Sequence, residues 1–272
     1  MTKIIAWRLR GYAMALCVVF SSSVGGAAED GVIVPDRPGL AESSVTVGAG
    51  RGQLEVGFGY ERFKRDGSQE STRTIPALFR FGLTPNTEFR LESDAFTSFR
   101  SHDDAAGETV KQTGYSDLAL GIKWHARDGD EQAGTPALAL LAHADLDSGS
   151  SEFRGKGVRP SLRGVAEWDL PNDWQLGAMA GVLYDNAEQT GRFYSGILGV
   201  ALTKEISEGL AGFVKWSGAA LRSKANGGAV ISYGGGLTYR LSKDVQLDAA
   251  LSLGANGYSP DWAATCGVSV RF

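Results

Sequence analysis

Long apolar runs are missing from this 272-residue sequence beyond its first twenty positions. A bundle of membrane-spanning helices would need several runs of about 20 apolar residues each. That architecture is excluded, and the mean hydropathy of −0.13 agrees. Histidine is sparse, at 3, and neither a metal-ligand cluster nor a glycine-rich phosphate loop occurs, so no metal or other cofactor is expected. The net charge of −4 gives no electrostatic footprint for nucleic acid. Of the 2 cysteines, Cys17 falls in the apolar start, and Cys266 alone cannot close an internal disulfide. Proline is also scarce, at 8, whereas glycine reaches 37 and aromatics 10%. Many strands joined by tight turns have this composition.

The start of the chain reads as a signal peptide over residues 1–28. Lys3, Arg8 and Arg10 precede the apolar stretch Gly11 to Phe20, and Gly26-Ala27-Ala28 offers a small-residue cleavage site before Glu29. Leu16 is too large to precede a lipoprotein cleavage at Cys17. Residues 29–51 contain Pro35, Pro38 and four glycines (Gly31, Gly39, Gly48, Gly50) and sustain no period. They read as an extended periplasmic leader.

From residue 52 to 272 the dominant signal has period two, which marks strands with one apolar and one polar face. Near 52–62, Leu54, Val56, Phe58 and Tyr60 alternate with Gln53, Glu55, Gly57 and Glu61. Near 244–255, Val245, Leu247, Ala249 and Leu251 oppose Gln246 and Asp248. Twelve such stretches follow one another to the end of the chain.

A soluble β-sandwich would bury the apolar face, whereas a membrane barrel turns it toward lipid. Four features favour the barrel. The stretches are long enough for the 9–11 residues or so that a tilted strand needs to cross a bilayer. Short connections (82–86, 170–173, 204–208, 242–243) alternate with longer ones (100–113, 147–157, 219–228), with 126–134 as an exception. Trp124, Trp168, Trp174 and Tyr239 fall near the short turns, while Tyr60, Tyr184, Trp216 and Trp262 fall at the opposite ends, as two aromatic belts would. The chain ends in an alternating strand closed by Phe272, which must seal against the first strand because an open edge in lipid leaves backbone groups unsatisfied. A terminal Phe also resembles the signal read by the bacterial barrel-assembly machinery. The expected fold is therefore all-β: a closed antiparallel up-and-down transmembrane β-barrel of about twelve strands in the bacterial outer membrane. Both ends would face the periplasm, and Cys266 would face lipid.

The polar face then lines a lumen. Glu55, Arg80, Arg90, Glu92, Asp117, Lys123, His143 and Arg163 are the expected lining residues. Mixed signs argue against a strong ion filter, which wants a ring of one charge. Arg80, Glu88, Arg90, Glu92 and Asp94 suit a cross-strand ion-pair ladder that stiffens the wall. His143 and Asp145 share a face, but no serine is placed as a nucleophile beside them. An outer-membrane lipid hydrolase is thus the least favoured reading, and the chain is not expected to be an enzyme.

The segments Asp36-Arg37-Pro38-Gly39-Leu40-Ala41-Glu42-Ser43 and Gly50-Arg51-Gly52-Gln53-Leu54-Glu55-Val56-Gly57-Phe58-Gly59-Tyr60-Glu61 resemble the opening of a known outer-membrane barrel family. That family is named for the meta-pathway of phenol degradation. Arg80-Phe81-Gly82-Leu83-Thr84-Pro85-Asn86-Thr87-Glu88-Phe89-Arg90 and Gly114-Tyr115-Ser116-Asp117-Leu118 look like its next signatures. The resemblance runs over roughly 36–272 and implies a barrel with a transport role for small, often aromatic or apolar, compounds. It brings no catalytic residues. Expected partners are outer-membrane lipid, the assembly machinery and a small-molecule solute, with no nucleic acid. The alternative is a structural or interaction barrel with a plugged lumen, presenting loops 100–113 and 147–157.

Overall fold

The computed structural model describes residues 31–272 except 40 and 66, and the expected signal peptide lies outside them. Thirteen strand segments follow in chain order. They are β1 (Gly52–Arg65), β2 (Ser68–Thr84), β3 (Thr87–Asp103), β4 (Glu108–Gly114), β5 (Ala119–Arg127), β6 (Ala137–Asp145) and β7 (Arg159–Leu170). The rest are β8 (Trp174–Ala187), β9 (Gly191–Ser207), β10 (Leu210–Leu221), β11 (Val230–Ser242), β12 (Val245–Gly254) and β13 (Trp262–Arg271).

Each segment pairs antiparallel with its neighbour, and β1 pairs with both β2 and β13, so the sheet closes on itself. β4 and β5 share one neighbour: β4 pairs with the outer part of β3 and β5 with its inner part. They are two halves of one wall strand, interrupted at 115–118, and the barrel therefore has twelve strands. At the seam, Gly52 N donates to Phe272 O and Phe272 N donates to Gly52 O, both at 2.8 Å. These bonds satisfy the backbone that lipid would leave bare.

The distribution of side chains is inverted relative to a soluble protein. Phe58, Leu162, Val214, Leu237 and Leu251 stand exposed on the outside, as do Leu54, Ile122 and Leu140. Glu55, Arg80, Glu88, Arg90 and Lys123 are fully buried inside. Only a lipid surrounding makes this arrangement favourable, because each exposed apolar side chain would forfeit its burial in water. Trp124, Trp174 and Tyr239 are exposed near the short-turn rim, with Trp168 partly so. Near the other rim Trp216 is exposed and Trp262 stacks on Tyr60 at 5.1 Å between ring centroids. Cys266 is exposed on the outer face.

The outer rim differs from the sequence expectation on one side. β1, β2 and β3 run 14, 17 and 17 residues, past the apparent ends at 62 and 72. Residues 100–113, expected as a long loop, mostly continue as the β3–β4 hairpin. Above the membrane both faces of a strand meet water, so hydrophobic alternation fades while the backbone ladder continues.

The leader differs more. The extended periplasmic segment expected at 29–51 is instead folded into the barrel from Ile33 to Val47, where nearly all of its described residues are buried. Ile33 N donates to Lys243 O at 2.7 Å and Gly50 N to Gly82 O at 2.8 Å, both at the short-turn rim. The leader thus enters and leaves by the same end, as a hairpin-like plug.

Candidate functional site

The lumen offers backbone-bonding groups of both signs, and the leader supplies their complements. Its apex is at Arg37, Pro38 and Gly39. Around Asp36, four acids (Asp36, Glu42, Glu55, Glu88) meet four bases (Arg80, Arg90, Lys123, Arg163). Arg80 reaches Glu88 at 2.8 Å, Glu55 at 3.2 Å and Asp36 at 3.5 Å. Lys123 Nζ lies 2.9 Å from Asp36, Arg90 bonds both Asp36 and Glu42, and Arg163 bonds Glu42 at 2.6 Å. The signs balance, as buried charge requires. Burial alone would raise the Asp36 carboxyl, but Arg80, Lys123 and Arg90 hold it well below the usual carboxylate range.

The wall acids also accept from the leader's backbone. Glu55 takes the amides of Asp36 and Arg37, Glu88 takes Val47 N at 2.9 Å, and Glu167 takes Ser44 N. In return Arg80 donates to Val34 O and Val45 O, and Lys123 to Ser43 O. An irregular segment inside a barrel cannot pair its own backbone, so these side chains do it instead.

Arg37 turns the other way, toward β12 and β13. Its guanidinium bonds both carboxylate oxygens of Asp248 at 3.2 Å, Thr265 Oγ1 at 3.0 Å and Cys266 O at 3.1 Å. It lies flat on Gly57 and Gly267, which are cross-strand partners. A Cβ on either would come within 2.2 or 2.5 Å of the guanidinium, so the pair of glycines forms its slot.

Two clefts, each open to solvent so that the volumes given include part of its mouth, flank this apex. One, of about 690 Å³, is lined by Arg37, Lys215, Glu61 and small residues of β10–β13 such as Ser217, Ser232 and Ala264. The other, of about 490 Å³, is lined by Arg37, Glu92, Asp94, Asp117 and Asp145 beside Pro76–Leu78. Further out, Asp117 organises the loop at 146–158. It accepts from Ser148 N, Gly149 N and Gly155 N at 2.8–3.1 Å and from Arg159 at 2.6 Å.

The residues expected to line an open path therefore divide. Glu55, Arg80, Arg90, Lys123 and Arg163 face inward, but there they hold the leader. Asp117 holds an outer loop. Glu92 lines a cavity, and His143, packed flat over Gly121, lies 4.0 Å from Glu92. The ladder forms only in part: Glu88 pairs with Arg80 and Arg90, while Glu92 and Asp94 stay out of it. Both ring nitrogens of His143 lack a hydrogen bond, so Asp145 does not orient it. Sequence reasoning missed Asp36, Arg37 and Glu42. Their signal was three charges in a segment with no alternation, next to the first transmembrane strand. It also missed inward apolar residues on β6–β10, namely Leu141, Val165, Met179, Ile197 and Phe213, which cluster with Ala41 of the leader.

Residues 35–272 match the family model described as putative MetA-pathway of phenol degradation. The chain belongs to this family. The match begins at the plug and includes every strand. Among solved structures, the COG4313 outer-membrane channel from Pseudomonas putida F1 is similar with a TM-score of 0.59 at 11% identity, covering 92% of this chain and 100% of that one. The β-domain of the Bordetella autotransporter BrkA gives 0.54 at 15% identity, covering 82% and 100%. At these identities the family member and its structural neighbours share the barrel fold. No curated protein sequence matches the chain.

Proposed function

We propose that this barrel is an outer-membrane passage for small molecules, narrowed at mid-depth by its own leader. One observation carries the reading: the plug's apex leaves cavities of about 690 and 490 Å³ on its two sides, both bounded by Arg37. Beside Arg37, Lys215 and Glu61 the larger is walled mostly by small residues such as Ser217, Ser232 and Ala264, which suits a compact, weakly polar or aromatic solute with a polar group. The family's association with phenol degradation points to the same class. Its neighbour in fold from Pseudomonas putida is described as a channel.

Planar-bilayer conductance and liposome swelling with small uncharged solutes test the reading. Wild type passes solutes slowly, and deletion of 33–47 raises the rate several-fold. A folded barrel that passes nothing, with or without the leader, overturns it. A wild type that is silent while the deletion conducts favours the second reading, a plugged barrel that presents its outer loops. The eight-fold ion network around Asp36 supports that alternative.

A further inference from the structure

Three acids beside the plug are used by nothing described above. Glu92, Asp94 and Asp145 line the 490 Å³ cavity with Glu55 and Asp117. Glu55 is taken by Arg80 and the leader amides, and Asp117 by Arg159 and three loop amides. The other three are not taken. Asp94 and Asp145 are only 7% and 3% exposed, yet among the described residues no hydrogen bond or ion pair reaches either carboxylate. The group facing Glu92 is His143 Nδ1 at 4.0 Å, too far for a hydrogen bond.

Among the described residues the surroundings supply no uncommitted cation. Arg159 and Arg163, which act on Asp145, are committed to Asp117 and Asp185 and to Glu42. Arg37 is committed to Asp248. The charges acting on Asp94 are Glu92 and Glu61, both acids. Register supplies room: Glu92 pairs with Ala119, which pairs with Asp145. With strands about 4.8 Å apart, the two acids stand about 10 Å apart across a single methyl group. Buried carboxylates without partners are unfavourable unless they hold a proton or something positive joins them.

We propose that this cavity binds a small organic ammonium, a primary amine carrying a compact apolar body. The ammonium supplies three donors to Asp94, Asp145 and Glu92. The body meets Pro76, Ala77, Leu78 and Ala119, which line the same space. An inorganic cation fits less well, because it would leave the apolar part of the lining, Pro76, Ala77, Leu78 and Ala119, uncovered. The inference concerns equilibrium binding and stands whether or not solutes pass through the barrel.

Calorimetric titration of the folded full-length barrel in detergent tests it, with benzylamine as probe and benzyl alcohol as its uncharged counterpart. Benzylamine binds saturably and benzyl alcohol at least about tenfold more weakly, since it lacks the charge-assisted hydrogen bonds. Asp94→Asn and Asp145→Asn each weaken benzylamine by about tenfold or more. Ala119→Leu keeps every carboxylate but fills the gap, and it abolishes binding even if an Asn variant fails to fold. Benzyl alcohol binding as tightly as benzylamine overturns the proposal. So does benzylamine affinity that Ala119→Leu leaves unchanged, or stoichiometric displacement of benzylamine by calcium.

Discussion

The two sides of the lumen hold the leader by different means. The β1–β5 side presents Glu55, Arg80, Glu88, Arg90 and Lys123, all fully buried, and grips Asp36 and the neighbouring backbone. The β6–β10 side presents Leu141, Val165, Met179, Ile197 and Phe213 around the methyl of Ala41, and its polar contacts with the leader are fewer: Arg163 with Glu42, Glu167 with Ser44 N and Lys215 with Pro38 O. Apolar contact is non-directional and tolerates displacement. Buried ion pairs do not, because a charge that leaves its partner strands both. The charged side therefore fixes where the plug sits, and the apolar side fills the space behind it. Loss of a charge should therefore free the leader, and loss of apolar volume should not.

The largest effect is expected from Asp36→Ala. Arg80, Arg90 and Lys123 all reach this carboxylate, and its removal leaves buried positive charge uncompensated, at a cost of about 3–5 kcal/mol. That exceeds what the apolar contacts of Ala41 can return. The leader should leave the lumen, seen as several-fold higher conductance and protease cleavage within 31–51. Retained protection would show that the apolar side suffices. The pH dependence follows from the same group. Its carboxyl sits below its ordinary value in the folded barrel, so the stabilisation is present above about pH 4 and is lost only as pH falls further toward the folded value. Hydrogen-exchange protection of the leader, corrected for intrinsic rates, should be constant from pH 5 to 8.

The wall was legible in the sequence because lipid imposes period two on every strand, and Leu54-Glu55-Val56 or Leu247-Asp248-Ala249 cannot hide it. The inward direction of Glu55, Arg80, Arg90 and Lys123 followed from the same alternation. What they touch did not follow. Alternation describes a residue's own strand, and the partners Asp36 and Glu42 come from a segment with no period at all. Met179 and Phe213 were hidden for a related reason: an apolar residue on the inner face of a strand whose outer face is also apolar leaves no contrast to read.

An intermediate effect is expected from Gly57→Ala or Gly267→Ala. Either methyl overlaps the Arg37 guanidinium and pushes it off Asp248, while Asp36 keeps its own partners. Strain of this kind costs about 1–3 kcal/mol. The two cavities that Arg37 separates should then merge, raising conductance less than Asp36→Ala does, with the leader still protected from protease. Conductance equal to that of Asp36→Ala would mean that the apex, not the ion network, seats the plug.

The smallest effect on passage is expected from Met179→Ala, and it is the sharpest test of the contrast between the two sides. Met179 is 1% exposed within the apolar cluster that includes Ala41. Truncation of a buried Met costs about 2–5 kcal/mol, so the barrel should unfold at lower temperature. Yet no hydrogen bond or ion pair to the leader is touched, and the vacated volume lies behind Ala41 rather than beside Arg37. Stability and passage should therefore separate: a lower melting temperature with unchanged conductance and unchanged protection of the leader. If conductance rose with the loss of stability, the apolar side would be positioning the plug as well as filling space, and the division of labour drawn from the charges would fail.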